Sequence, residues 1–128
     1  MRDKKRIKTI MKKLQQCWEF TPEVTFYELI FYLYHDNPDQ WTDYYKEDEY
    51  WIANMEDYKL AHIANNTSTN ISDLQKKILN NVKTIWENYY DLRFPQICNL
   101  LYSIIGENID DIDVESILQK KVGELDEG

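Results

Sequence analysis

The chain contains few of the residues that interrupt helices. Its 128 residues include only 3 glycines and 3 prolines. This scarcity excludes a β fold of many short strands, which needs a turn every ~8–12 residues, and it favours helices. No apolar run reaches the ~18 residues of a membrane-spanning helix. The basic start, "MRDKKRIKTIMKK", lacks the apolar region of a signal peptide. We therefore expect an all-α protein located in the cytoplasm.

The chain is also poor in residues that carry chemistry. Its 2 cysteines, Cys17 and Cys98, fall at apolar helix positions, which predicts buried thiols rather than a disulfide framework. Its 2 histidines, His35 and His62, fall near predicted helix ends, where a cation interacts favourably with the helix dipole. No glycine-rich phosphate loop, HExxH helix or CxxC pair occurs. We expect no catalytic residue, no metal ligand and no cofactor.

Positive charge is scarce outside the first twenty residues. The net charge is −8, yet residues 1–20 carry seven basic residues against two acids. Residues 21–60 carry ten acids against two lysines, and residues 106–128 carry eight acids against two lysines. Nucleic-acid binding requires basic side chains that neutralise phosphates. The acidic balance therefore argues against a direct nucleic-acid partner.

Apolar residues at helical spacing predict six helices. The first predicted helix ends before Pro22, and the second opens at Thr25 and Glu28, which have the form of a capping box. This second helix is aromatic nearly all round, so we expect it to be central in the fold or part of an interface. After a polar linker, a second capping box at Ser72 and Gln75 opens another series of helices.

The second half of the chain repeats the first at a distance of 68 residues. "WEFTPEVTFYELIFYLY" (18–34) aligns with "WENYYDLRFPQICNLLY" (86–102), and seven of 27 aligned positions are identical. We predict a three-helix unit at residues 1–63, a linker at 64–70, a second unit at 71–122 and a loose tail at 123–128. Units this small are marginal alone, so we expect them to pack as one compact domain with approximate two-fold pseudo-symmetry.

Several stretches resemble the YihD-like family of small uncharacterised bacterial proteins. In the first unit these are "MRDKKRI", Trp18, "TPEVTFYELI" and "YYKEDEYWIANMEDY", and in the second unit "YYDLRFPQICNLL". The chain would carry two tandem, divergent units of this family. The resemblance implies an α-helical fold and supplies no activity or catalytic residue.

The stretch "DNPDQWTDYYKEDEYW", residues 36–51, is the candidate binding site. It holds six acids and five aromatic residues. Tyr and Trp provide rigid contact area at protein interfaces, and acids steer a basic partner. The alternative is a solvated acidic loop whose aromatic side chains pack back onto the core. The predicted partner-binding residues are Asp39, Trp41, Asp43, Tyr44, Tyr45, Glu47, Asp48, Glu49, Tyr50 and Trp51.

These features favour a non-enzymatic, acidic protein-binding module over an enzyme. One version is an inhibitor from a phage or mobile element that acts as an acidic decoy toward a basic host or defence protein. Two alternatives remain open. One is an immunity or antitoxin-like protein that neutralises a basic toxin, and the other is a structural homo-oligomer formed through the aromatic second helix.

Overall fold

A computed structural model describes residues 2–35, 46–64 and 67–127 of the chain. The described residues fold into six helices without a strand, which confirms the predicted all-α class. None of the helices in these ranges is long and apolar enough to cross a membrane. In chain order they are α1 (Lys5–Phe20), α2 (Phe26–Ile30, continuing as a π-helical turn at Phe31–His35), α3 (Asp48–Ile63), α4 (Asp73–Asn88), α5 (Phe94–Ile105) and α6 (Asp111–Glu127).

Both predicted capping boxes form. The Thr25 hydroxyl accepts the N–H of Glu28 at 3.2 Å, and the Glu28 carboxylate accepts the N–H of Thr25 at 3.0 Å. Ser72 and Gln75 make the same pair of bonds at 3.1 and 2.9 Å. Each box satisfies two backbone donors that have no partner inside the helix, which fixes where α2 and α4 begin.

The 68-residue repeat is visible in the local geometry. Helices α1 and α4 have 16 residues each and start 68 residues apart. The indole N–H of Trp18 donates to the Val24 carbonyl at 2.9 Å, and that of Trp86 donates to the Leu92 carbonyl at the same distance. These bonds close the turn after each first helix in the same way. The two-fold relation between the units stays a prediction.

A single hydrophobic core takes side chains from both units. Helix α1 packs on α3, α4 packs on α6, and α1 also contacts α4. The inner face of α2 is buried, because Phe26, Leu29, Ile30 and Leu33 are all at most 2% exposed. Burial of each such side chain contributes about 1.5–3 kcal/mol. The two units therefore share the apolar area that stabilises each of them.

The predicted loose tail is helical as far as Glu127. Helix α6 buries Val114 and Leu118, and Val122 and Leu125 pack against the same core at the following turns. Leu125 therefore extends the apolar face of α6, and the prediction of a loose tail is corrected for residues 123–127, which are helical. Gly123 and the surrounding acids interrupt the spacing of apolar residues, so the sequence shows little helical periodicity in this stretch.

Both cysteines are buried free thiols, as predicted. The Cys17 thiol lies 3.3 Å from the Met55 carbonyl, and burial raises its pKa to about 12. Burial also raises the pKa of the Cys98 thiol well above its ordinary value. Both side chains therefore stay protonated at neutral pH.

The thiols should react only when the chain unfolds, because the thiolate is the nucleophile and neither sulfur is accessible. We expect Ellman's reagent at about pH 8 to find no rapidly reacting thiol in the native protein and both thiols in denaturant. Reaction of either cysteine in native buffer at the rate of a free thiol would contradict this burial.

Two glycine-to-alanine substitutions should change stability in opposite directions. Gly106 ends α5 with φ at 67°, and alanine there should cost about 1–2 kcal/mol because an L side chain strains this backbone. Gly123 lies inside α6, and a methyl group on its Cα would meet open space, so alanine should stabilise by about 0.5–1 kcal/mol. Urea unfolding measures the change in unfolding free energy for each variant. Equal changes for the two variants would contradict the assigned backbone geometry.

Candidate functional site

The predicted acidic and aromatic segment is only partly described. Five of its ten predicted contact residues lie outside the described ranges, and for these the prediction stands unchanged: Asp39, Trp41, Asp43, Tyr44 and Tyr45. The other five lie at the start of α3. The described half of the segment makes specific contacts within the fold.

Trp51 belongs to the core. Its side chain is 0% exposed, and its ring centroid lies 5.2 Å from that of Phe94 in the second unit. Tyr50 packs edge-on against it at 5.0 Å, and the indole N–H donates to the Lys46 carbonyl at 3.1 Å. Trp51 is therefore removed from the partner-contacting set. The first turn of α3 faces α5, which places this aromatic side chain inside.

Two of the predicted acids bind arginines of the basic N-terminal segment. Arg2 donates to both carboxylate oxygens of Glu47, at 3.0 and 2.6 Å, and this hydrogen bonding lowers the pKa of Glu47. Arg6 faces Asp48 at 3.3 Å, with side chains only 12% and 21% exposed. Burial raises the pKa of Asp48 and lowers that of Arg6, while each partner opposes the shift of the other. Glu49 is exposed.

The Arg6 guanidinium also reaches the second unit. One of its terminal nitrogens donates to the Tyr90 carbonyl at 3.1 Å and to the Leu92 carbonyl. The guanidinium carbon lies 5.3 Å from the ring centroid of Trp86, a cation–π distance. Arg6 therefore connects α1, the start of α3 and the turn that precedes α5. This contact set is structural and holds the two units together.

An exposed aromatic surface lies on the outer side of α2. Phe31 and Tyr32 are 41% and 44% exposed, which is high for large apolar side chains. Together with Tyr27, Glu28 and Ile109 they line an open groove of about 330 Å³. The sequence pattern that makes α2 aromatic nearly all round was the signal for this surface.

A second groove continues the first toward α5. Its volume is about 290 Å³, and it shares Tyr27 and Phe31 with the first groove. The Tyr27 and Tyr102 rings meet edge to face at 5.1 Å. We call the combined set the aromatic surface: Tyr27, Phe31, Tyr32, Tyr102 and Ile109. The contributions of Tyr102 and Ile109 were not foreseen, because they come from the second unit.

Carboxylates surround one end of the aromatic surface. Asp111 accepts the N–H of Phe26 at 2.8 Å, and its pKa is raised first by burial and then by Asp110 and Glu28. Glu28 lines the first groove, and Asp110 and Asp111 directly follow its lining residue Ile109 in the chain. No lysine or arginine occurs among the described residues that line the two grooves. The surface therefore combines aromatic area with local negative charge.

Across the described ranges there is no group of three or more His, Cys, Asp or Glu side chains that could hold a metal ion. The His62 imidazole lies 2.7 Å from the Tyr58 carbonyl and stacks on the Tyr58 ring at 4.3 Å, near the end of α3. This position agrees with a helix-end role for His62.

The fold and the aromatic surface define a small all-α protein with an acidic, aromatic groove. No protein-family model, no curated protein and no solved structure matches the chain. Function is therefore argued from the chain's own residues.

The Arg6 contacts can be tested with a double-mutant cycle. Arg6 and Trp86 both donate to the Leu92 carbonyl, and they form a cation–π contact with each other. The costs of Arg6→Met and Trp86→Phe in unfolding free energy should therefore be non-additive by about 1 kcal/mol or more. Trp18→Phe is the matched control, because Trp18 makes the equivalent bond in the first unit without Arg6. Its cost and that of Arg6→Met should add within about 0.5 kcal/mol.

Urea unfolding of the single and double variants gives both coupling energies. The Arg6 assignment fails if the Trp18 pair couples as strongly as the Trp86 pair, or if neither couples.

Proposed function

We propose that the chain is a non-enzymatic, acidic protein-binding module that docks a basic partner protein through the aromatic surface. The observation that carries the proposal is the exposure of Phe31 and Tyr32 beside Ile109, which is 52% exposed, around one groove. Contiguous exposed aromatic area rimmed by polar residues is typical of protein interaction sites.

The charge around the aromatic surface favours a basic partner. Glu28 lines the first groove, Asp111 accepts the N–H of Phe26 next to Tyr27, and Asp110 follows the lining residue Ile109; the chain as a whole carries a net charge of −8. Opposite charge on the partner would raise the association rate, and the aromatic side chains would supply the buried contact area. The charge attraction and the aromatic contact area would act at the same place, where the acidic residues adjoin the aromatic side chains.

The segment at residues 36–45 directly follows α2, the helix that carries most of the aromatic surface. Like the aromatic surface and its neighbouring acids, this segment combines acidic and aromatic residues, namely Asp39, Trp41, Asp43, Tyr44 and Tyr45. We propose that they extend the contact area. Glu49, which is exposed, belongs to this set, whereas the arginine pairs of Glu47 and Asp48 give those two acids a structural role.

The identity of the basic partner separates the versions of this proposal. A phage or mobile-element inhibitor would act as an acidic decoy that occupies the nucleic-acid groove of a host or defence protein. An immunity or antitoxin-like protein would occupy a basic toxin, and a neighbouring toxin gene would favour it. Descent from the YihD-like family, in two tandem copies, is proposed on the sequence motifs alone and implies neither version.

Replacing the exposed aromatic side chains should abolish partner capture. We expect the double variant Phe31→Ser, Tyr32→Ser to fail to capture the basic proteins that the parent chain captures from host lysate. Quantitative mass spectrometry of the captured proteins measures this loss. The matched control is Leu60→Ser with Ile63→Ser, because these α3 residues are 64% and 55% exposed and line neither groove. The control should retain the same proteins.

Added salt should weaken capture, because screening reduces attraction between exposed charges. Capture of the same basic proteins by the Phe31/Tyr32 variant, or equal loss in the Leu60/Ile63 variant, would refute the assignment. A parent chain that is dimeric by light scattering, and becomes monomeric in the Phe31/Tyr32 variant, would instead support the homo-oligomer alternative.

A further inference from the structure

A groove between α1 and α4, where the two units meet, has walls of positive charge. Lys8 and Lys12 line it from α1, and Lys76 and Lys83 line it from α4. Glu19 is the one acid among the described residues that line it. Its volume is about 510 Å³, which is within the range of small-ligand sites. This basic groove lies in a protein whose net charge is −8.

The four lysines of the basic groove are not neutralised by the fold. Within residues 2–35, 46–64 and 67–127, none of them forms an ion pair, although the chain has 23 acids. Lys13 and Lys59, in contrast, both bind Glu56, at 2.8 and 3.4 Å. A cleft lined by charges of one sign concentrates their field and attracts counter-ions. The basic groove therefore favours an anion.

The two copies of the repeat contribute matching positions to the basic groove. Lys8 and Lys76 are 68 residues apart and equivalent, and so are Met11 and Leu79, which form its floor at 6% exposure each. Because Met11 and Leu79 are almost fully covered, a ligand would contact mainly the lysine, glutamine and asparagine side chains of the walls. A ligand in the groove would meet equivalent lysines from both units.

We propose that the basic groove binds a small anion that carries several phosphate groups. A lysine ammonium presents three donors in any direction and binds phosphate as a point charge. The four lysines that line the groove match the several negative charges of linked phosphates. The volume of about 510 Å³ fits a small ligand, and the net charge of −8 argues against a long nucleic acid. This site is separate from the aromatic surface.

The test is titration calorimetry with inorganic tripolyphosphate. The parent chain should bind it, and Lys8→Gln combined with Lys76→Gln should weaken binding by about tenfold or more, because two close cations are lost. The matched control is Lys77→Gln with Lys120→Gln, which makes the same charge change at exposed lysines outside the groove lining. Its affinity should stay within about twofold of the parent. Circular dichroism verifies that both variants keep their helices.

Two further ligands identify what the basic groove recognises. Equal affinities for ATP and tripolyphosphate assign recognition to the phosphates, and tighter binding of ATP adds a nucleoside contact; both results support the site. Three results overturn it: no binding of tripolyphosphate at about 1 mM, equal weakening in the two double variants, or tighter binding of a single-stranded oligonucleotide than of either small ligand.

Discussion

The guanidinium of Arg6 is a charge that the fold has taken largely out of water, and its neighbours are arranged around that constraint. Burial lowers its pKa, and two backbone carbonyls, the Asp48 carboxylate and the Trp86 ring replace part of the lost hydration, while Nε and Nη1 are buried without a hydrogen-bond partner. These partners come from α3 and from the second unit, so one side chain fixes three elements relative to one another. Its ion pair with Asp48 also fixes the start of α3.

The two copies share their frame and differ in their surfaces. The hydrogen bonds that the indole N–H groups of Trp18 and Trp86 donate have the same length. The residue of the second unit that is equivalent to Arg6, however, is Leu74. The aromatic residues on the outer side of α2, Tyr27, Phe31 and Tyr32, are matched by Pro95, Asn99 and Leu100. The part of the aromatic surface that lies on α2 therefore has no counterpart in the second copy, whereas Lys8 and Lys76 place one lysine of the basic groove at equivalent positions of both copies.

Local patterns predicted most of the fold and little of the site. The two capping boxes and the starts of α2 and α4 follow from spacing within one helix, which a sequence displays directly. Trp51 was misassigned because its partner, Phe94, is 43 residues away and nothing near Trp51 in sequence reveals it. Arg2 and Arg6 likewise form ion pairs with Glu47 and Asp48, which are more than 40 residues away in the sequence. Ile109 joins the aromatic surface only through tertiary packing.

The central claim is that two copies of one helical frame form a single cooperative core joined at Arg6. Native-state hydrogen exchange in rising denaturant tests it most directly, at equivalent amides such as those of Ile10 and Ile78 or Leu14 and Val82. The account predicts that all four amides exchange through one global opening with a common free energy. Exchange of the α1 amides through a smaller opening, while the α4 amides stay protected, would mean that the units unfold independently and would contradict it.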